Sequence, residues 1–236
     1  MRKSLLLMTL LLLSACGQKE PVTRIVFAEV DNANEPYMSR AIITPEFMRI
    51  DYNKDEDDFI LFERKSGIIY SVVHKEKNII VVMPSEITAA SPLKLDVEVV
   101  KGQLDKSVPD VEGKTPEYYQ YKVNGQLCYE TISVPGLLPF ASKVHKEFLK
   151  TLAGEHARIV NEIPADQHDP CDLAATIYHY GMKFDHGFPI NEWHGEYTMG
   201  YKRQVVDYEE GFTYDPALML LPQDYKRYQP EDIAAN

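Results

Sequence analysis

From Val22 to Lys101 the chain alternates between short strand-like runs and polar turns. Turn-forming segments such as Arg64 to Gly67 and Lys75 to Asn78 separate neighbouring runs, as they do in hairpins. The pattern predicts an antiparallel meander. Its strand-like runs are Arg24 to Glu29, Met38 to Thr44, Phe47 to Tyr52, Asp58 to Glu63, Ile68 to His74, Ile79 to Met83 and Leu93 to Val99.

Two of these runs are apolar on both faces. Phe59 to Phe62 and Ile79 to Val82 contain no polar residue, whereas Leu93 to Val99 alternates as a strand with one wet face does. The sequence therefore predicts that part of the sheet is covered on both sides or lines a cavity.

The period changes between Pro139 and Ile163, where one amphipathic helix is predicted. Its apolar face has four residues at intervals of four, Phe140, Val144, Phe148 and Leu152. Pro135 and Gly136 precede the helix, and Pro164 follows it as a stop. The polar segment Gly102 to Pro116 before it is predicted to be a long loop, followed by strands at Tyr118 to Val123 and Leu127 to Val134.

The last third returns to strand-like composition. Strands are predicted over Leu173 to Phe184, Gly195 to Tyr201 and Arg203 to Tyr208, and Leu218 to Tyr225 is the last ordered segment. The predicted order of elements is a series of strands, one long helix and further strands. This order favours an α+β fold in one domain, residues 24–228, followed by a frayed tail at 229–236. The predicted fold is a large curved antiparallel sheet, or half-open β-barrel, with a helical lid on its concave face.

The amino terminus has the features of a lipoprotein signal. Arg2 and Lys3 precede an apolar run from Leu5 to Leu13, which is too short to cross a bilayer. Leu13-Ser14-Ala15-Cys16 then forms a complete lipobox. We expect a signal peptide at 1–15, lipid on Cys16 and a lipidated tether at 16–23. The alternative is an ordinary signal peptide that contains a cysteine by chance.

The predicted export and the net charge of the chain exclude several classes of binding partner. The lipid would attach the chain firmly to a membrane, and Gly17, standing where aspartate would favour inner-membrane retention, suggests the outer membrane facing the periplasm. A formal net charge of −11 does not suit nucleic acid. Because ATP and NAD are absent from that compartment, no cofactor is expected.

The two remaining cysteines are predicted to form a disulfide. Cys128 and Cys171 are an even pair in an oxidising compartment. The alternative is two buried free thiols. No Cys-x-x-Cys spacing indicates a redox catalyst.

The chain resembles the periplasmic lipoprotein carriers and outer-membrane lipoprotein receptors of the Lol sorting system. The resemblance rests on Thr44 to Asp51, the hairpins Asp58 to Glu63 and Ile68 to His74, the turn Gly187 to Ile190, and Leu220 to Tyr225. It implies a half-open barrel that holds acyl chains under its lid, against Phe140, Val144, Phe148 and Leu152. The helical spacing alone fits ordinary core packing equally well. The Cys128 and Cys171 pair and the long loop before Tyr118 depart from the family.

Candidate chemistry is sparse. His168, His179, His186 and His194 lie near Asp185 and Glu192, but their spacing matches no metal motif. The run from Asp51 to Asp57 resembles a calcium loop without its glycine and final glutamate, since Glu56 and Phe62 stand there. No nucleophile motif is present. We therefore predict no metal and no catalytic residue.

The function predicted from sequence is a non-catalytic lipoprotein that binds an apolar ligand or a lipidated partner. A structural or assembly lipoprotein that holds another envelope protein is the alternative, since fifteen tyrosines would suit such a surface. A hydrolase or metal-binding protein of the envelope has less support in the sequence.

Overall fold

A computed structural model describes residues 22–30, 35–105, 107–194 and 200–234. Within these ranges one open sheet contains every named strand. The strands are β1 Thr23–Val30, β2 Tyr37–Ile43, β3 Phe47–Asp51, β4 Phe59–Glu63, β5 Ile68–Val73, β6 Asn78–Val82, β7 Val97–Lys101, β8 Glu117–Val123, β9 Gln126–Val134, β10 Phe188–His194, β11 Lys202–Glu210 and β12 Lys226–Tyr228.

Two meanders lie side by side in this sheet. The order across it is β12-β6-β5-β4-β3-β2-β1-β11-β10-β9-β8-β7. Strand β1 pairs antiparallel with β2 on one side and with β11 on the other. The first and the last long strands therefore meet in the middle of the sheet.

The prediction of a wholly antiparallel sheet is wrong at one edge, because the sheet is mixed. Strand β12 runs parallel to β6, with Lys226 opposite Asn78. After β11 the chain crosses one face of the sheet, where Phe212, Leu218 and Tyr225 pack on it. It reaches the edge at β6 in the same direction as that strand, a crossover that local alternation cannot reveal.

The predicted helix is present as α1, Pro139–Ile159, and a 3-10 turn extends it to Glu162. It packs on the sheet face that carries Ile43, Met48 and Phe62, which we name the inner face. The rings of Phe62 and Phe148 meet edge to face, with centroids 5.8 Å apart.

The opposite, outer face carries Ile42, Leu61 and Val72 and is covered by the 3-10 helix Pro216–Met219 and its flanking residues. Strand β4 therefore buries Phe62 on one side and Leu61 on the other. At Phe62 and Leu61 this strand is therefore covered on both sides, which is one of the two alternatives predicted for strands that are apolar on both faces.

The predicted strand Leu173 to Phe184 is wrong, since this segment is helical. Helix α2, Pro170–Leu173, continues into a π-helical turn at Ala174–Tyr178, and a 3-10 turn follows at Met182–Phe184. The Asp169 carboxylate accepts hydrogen bonds from the N–H groups of Cys171 and Asp172. Together with Pro170 in the first turn, this cap favours the start of a helix at this point.

Other segments also differ from the predictions. Of the predicted strand Gly195 to Tyr201, residues 195–199 lie outside the described residues, and the next strand begins at Lys202. Strand β7 begins only at Val97, because Leu93 and Leu95 leave the sheet to pack beside the end of α1 and the α2 region. A short helix, α3 (Pro230–Ala234), occupies part of the tail. The long loop before β8 is confirmed, with a single bridge between Val111 and Lys114. No helix of the described ranges is both long and apolar enough to span a bilayer.

Candidate functional site

The predicted disulfide is confirmed. Cys128 on β9 is bonded to Cys171 on α2, with Cα atoms 5.3 Å apart across a sequence separation of 43 residues. Both cysteines are buried in a small core with Tyr121 and Met182. The bond fixes the helical segment against the sheet.

The predicted lipid-attachment residue, Cys16, lies outside the described residues, as do the signal peptide and most of the tether. The described chain starts at Val22, one residue before β1.

The apolar face of α1 packs against the sheet. Phe140, Val144 and Phe148 are buried in the main core, and Leu152 is partly buried against it. The Arg64 guanidinium lies 4.9 Å from the centre of the Phe140 ring. None of these four residues lines the cavity that we describe next, so contact between them and a ligand stays a prediction.

The inner face continues beyond α1 into a cavity of about 360 Å³. Ile50 and Ile60 form its floor. They lie two positions from Met48 and Phe62, so they share the face that contacts the helix. The complete lining is Glu29, Tyr37, Ser39, Ile50, Asp51, Tyr52, Asp58, Phe59, Ile60, Ser71, Val72 and Val73.

Two tyrosines stand at the rim of this cavity. The rings of Tyr37 and Tyr52 meet edge to face with centroids 5.8 Å apart, and Tyr52 is 57% exposed. Asp58 lies in the turn before β4, where its Oδ1 accepts the His74 N–H at 2.7 Å. Aromatic faces and a carboxylate thus border an apolar floor.

The buried carboxylate of Glu29 lines one side of the cavity and is held by an ion pair. The Glu29 carboxylate accepts hydrogen bonds from the Ser39 hydroxyl and from the Tyr201 hydroxyl, the latter at 2.8 Å. Its partner Arg203, opposite it on β11, has Nε 3.6 Å from Oε1. The Arg203 guanidinium also lies 3.6 Å from the centre of the Phe27 ring, a cation–π contact.

A second buried ion pair, between Glu192 on β10 and Lys183, lies beside the first. The two pairs are neighbours because Arg203 is also opposite Glu192. Lys183 Nζ donates to both carboxylate oxygens of Glu192, at 2.7 and 2.8 Å. Burial alone would raise the pKa of Glu192, but Lys183, His194 and Arg203 outweigh it and lower that pKa to about 2. Two carboxylates and two cations therefore compensate one another on the inner face.

His145 projects from α1 toward these charges. Its Nδ1 lies 2.8 Å from the carbonyl oxygen of Ala141, which can only accept, so Nδ1 carries the proton. Its Nε2 is buried with no hydrogen-bond partner among the described protein atoms. Burial, with the repulsion of Arg203, lowers the pKa of His145 to about 3. The imidazole is therefore neutral at any pH near 7.

We expect His145 to make the protein lose stability as the pH falls from about 6.5 to 4.5. The folded-state pKa is about 3, whereas the unfolded residue titrates near 6.5, so acid favours the unfolded chain by up to about 1.4 kcal/mol per pH unit. Urea unfolding of His145→Phe should show a slope about one proton smaller in this window, whereas the exposed His156→Phe should match the wild-type slope. Equal slopes for wild type and His145→Phe would refute a buried neutral imidazole.

The four histidines do not form a cluster, although His194 Nε2 lies 3.9 Å from the Glu192 carboxylate. His168 bonds to the Ile163 carbonyl at 3.2 Å, and His186 stacks on Tyr119. In the part of the chain that the structure describes, no three residues among His, Cys, Asp and Glu could hold a metal ion. Asp51 and Asp55 of the calcium-like run instead accept hydrogen bonds from Arg40.

Sequence reasoning missed the inner-face ion pairs. The residues involved are Glu29, Glu192 and Arg203, and each is a polar residue within a strand. A polar residue in a strand normally lies on the solvent-facing side of the sheet. The one available signal was that Glu29 shares its face with Ile25 and Phe27, so the alternation brings a carboxylate onto an apolar side.

Comparison with known proteins does not assign the chain to a family. No family model and no curated protein matches the chain. An uncharacterized conserved protein from Thermus thermophilus has a TM-score of 0.45 and 9% identity, over 89% of this chain and 91% of that one. Two crystal forms of PNGF-II have TM-scores of 0.45 and 0.42 with 9% and 7% identity, over 91% of this chain. The chain spans only 32% and 33% of their length.

Proposed function

We propose that this protein is a non-catalytic lipoprotein of the cell envelope that holds an acyl chain in the inner-face cavity. The single observation that carries the proposal is the apolar floor of Ile50 and Ile60, which extends the core beyond α1 into an open cavity. The lipobox at Cys16 supports the location, since it would keep the cavity close to a lipid surface.

The cavity has suitable dimensions for such a ligand. Its volume of about 360 Å³ falls in the lower range of ligand sites, which are mostly apolar with a few polar groups. Each methylene group moved from water into the cavity contributes about 0.8 kcal/mol. An alkyl segment of about four carbons would therefore gain roughly 3 kcal/mol in the cavity, with the rest of the chain directed along the inner face.

Photo-crosslinking in cells tests this function. We expect benzoylphenylalanine in place of Tyr52, in the full chain, to capture a lipid whose mass is that of an acyl compound. Tyr52 is exposed and aromatic, so the replacement should leave the fold intact. Leu220 is 68% exposed and follows the outer-face 3-10 helix, so the same replacement there is the matched control.

Lipid captured at Tyr52 and absent at Leu220 would support the proposal. Lipid at both positions would show only contact with the membrane, and a protein adduct at Tyr52 would favour the assembly role instead. Either of these results would overturn the acyl-binding function.

Anchoring has its own test. Cys16→Ser should abolish incorporation of labelled palmitate into the chain and release the exported protein from the membrane fraction. Cys128→Ser is the control, because that cysteine lies in the described fold and its loss should leave the lipid in place. Palmitate labelling that survives Cys16→Ser would contradict the lipobox interpretation.

A further inference from the structure

We propose that the cavity selects amphiphiles with a cationic head group, an alkylammonium or quaternary ammonium lipid. This inference rests on the proposed function and adds the chemistry of the head group. Three observations carry it, namely the charges of the lining, their pairing, and the aromatic rim.

The ionisable side chains of the lining are the acids Glu29, Asp51 and Asp58 and the tyrosines of the rim. No lysine, arginine or histidine is among the residues that the structure places around the cavity. An anionic head group would therefore meet the Asp58 carboxylate with no cation beside it among the lining residues, and repulsion of this kind is how a site rejects the wrong ligand.

Two of the three carboxylates are already neutralised. Glu29 is paired with Arg203. Asp51 directly follows Ile50 in β3, so its side chain points to the outer face, where it is paired with Arg40 and Arg49. The paired acids are also buried, at 8% and 4% exposure. Neither has capacity left for a ligand cation.

Asp58 is different. Its carboxylate is exposed, its one hydrogen bond comes from the backbone N–H of His74, and it makes no ion pair with any described residue. A negative charge that stays unpaired beside an apolar floor complements a cation attached to a hydrocarbon chain.

The rim supplies the second half of the site. Tyr37 and Tyr52 present ring faces at 63° to each other, so they form two sides of a corner. Aromatic faces attract cations, and quaternary ammonium groups are typically bound by such aromatic walls beside a carboxylate. We place the ammonium group in this corner, with its alkyl chain across Ile50 and Ile60.

Two photoreactive probes test the head group. Both contain the same lauryl chain with a diazirine at the same carbon, and they differ only in a trimethylammonium or a carboxylate head. The full chain is purified from membranes in a neutral maltoside detergent. We expect the trimethylammonium probe to label the peptides that span residues 50–73 about tenfold more than the carboxylate probe does.

The matched variants are Asp58→Asn and Glu56→Gln. Each removes one negative charge from the same turn, but Glu56 is exposed and does not line the cavity. Asparagine keeps an oxygen that can accept the His74 N–H. Asp58→Asn should reduce the preference to about twofold or less, whereas Glu56→Gln should retain it.

The outcomes separate the two proposals. Equal labelling by both probes in the wild type would overturn the cationic head group and leave acyl binding intact. No labelling of residues 50–73 by either probe would overturn the proposed function itself. Competition by tetramethylammonium alone, as strong as that by an unreactive lauryl ammonium, would show a site for small amines and overturn the lipid.

Discussion

Lys183→Met should destabilise the protein by about 3 to 5 kcal/mol at pH 7, because it leaves the Glu192 carboxylate buried without its main partner. The variant keeps the length and apolar stem of the side chain, so the loss is electrostatic. Urea unfolding with the disulfide intact measures it. Lys146→Met is the matched control, since Lys146 forms an exposed pair with Asp185 and should cost less than about 1 kcal/mol.

The pKa of Glu192 determines how the stabilising effect of this ion pair changes with pH. The pKa of Glu192 is about 2 in the folded protein and near 4.5 when unfolded, so its stabilising effect is complete above pH 4.5 and lost as the pH falls toward 2. Without Lys183 the folded pKa should rise, and the gap between variant and wild type should narrow in acid. Lys183→Met/Glu192→Leu should recover most of the loss. A double variant as unstable as the single one would refute an electrostatic cause.

Arg49→Met should cost about 3 kcal/mol and loosen the carboxy-terminal segment. The guanidinium is 2% exposed and donates to Asp51, at 2.8 Å, and to the carbonyl oxygens of Leu218 and Asp55. It also lies 3.8 Å from the centre of the Phe59 ring. Its removal takes one of two cations from the buried Asp51 carboxylate and takes this donor from the Leu218 carbonyl oxygen.

Hydrogen exchange shows where the effect falls. Peptides over residues 216–225 should exchange faster in Arg49→Met, while those of α1 should not. Arg158→Met is the control, because the Arg158 side chain is 40% exposed where it pairs with Glu155 and Glu231. Uniform acceleration across the whole chain would mean that Arg49 supports the sheet as such and does not hold this segment.

The strands and α1 could be predicted because their signals are local. Alternation in Arg24 to Glu29 and the four-residue spacing from Phe140 to Leu152 each specify one element without reference to the rest of the chain. The disulfide could be predicted because the two cysteines that remain after Cys16 form an even pair in an oxidising compartment. The segment after Cys171 was misjudged because its cap, Asp169, is a single residue whose effect outweighed the strand-like composition that follows.

The candidate site could not be predicted, because it depends on distant pairing. The Glu29 carboxylate accepts a hydrogen bond from the hydroxyl of Tyr201, which is 172 residues away in the sequence. That contact exists only because β11 returns to the middle of the sheet beside β1. The cavity rim likewise joins Tyr37 on β2 to Tyr52 after β3. No period or motif within one element records such neighbours.

The central position of β1 determines how the fold would bear a mechanical load. Strand β1 is the first described element, and both its edges are bonded, from Thr23 to Val30 on the β11 side and from Thr23 to Glu29 on the β2 side. If the chain is tethered through Cys16, tension enters at Thr23 along the strand axis. The hydrogen bonds on both sides then resist sliding together, whereas a strand at the sheet edge would be held by the bonds of one side alone.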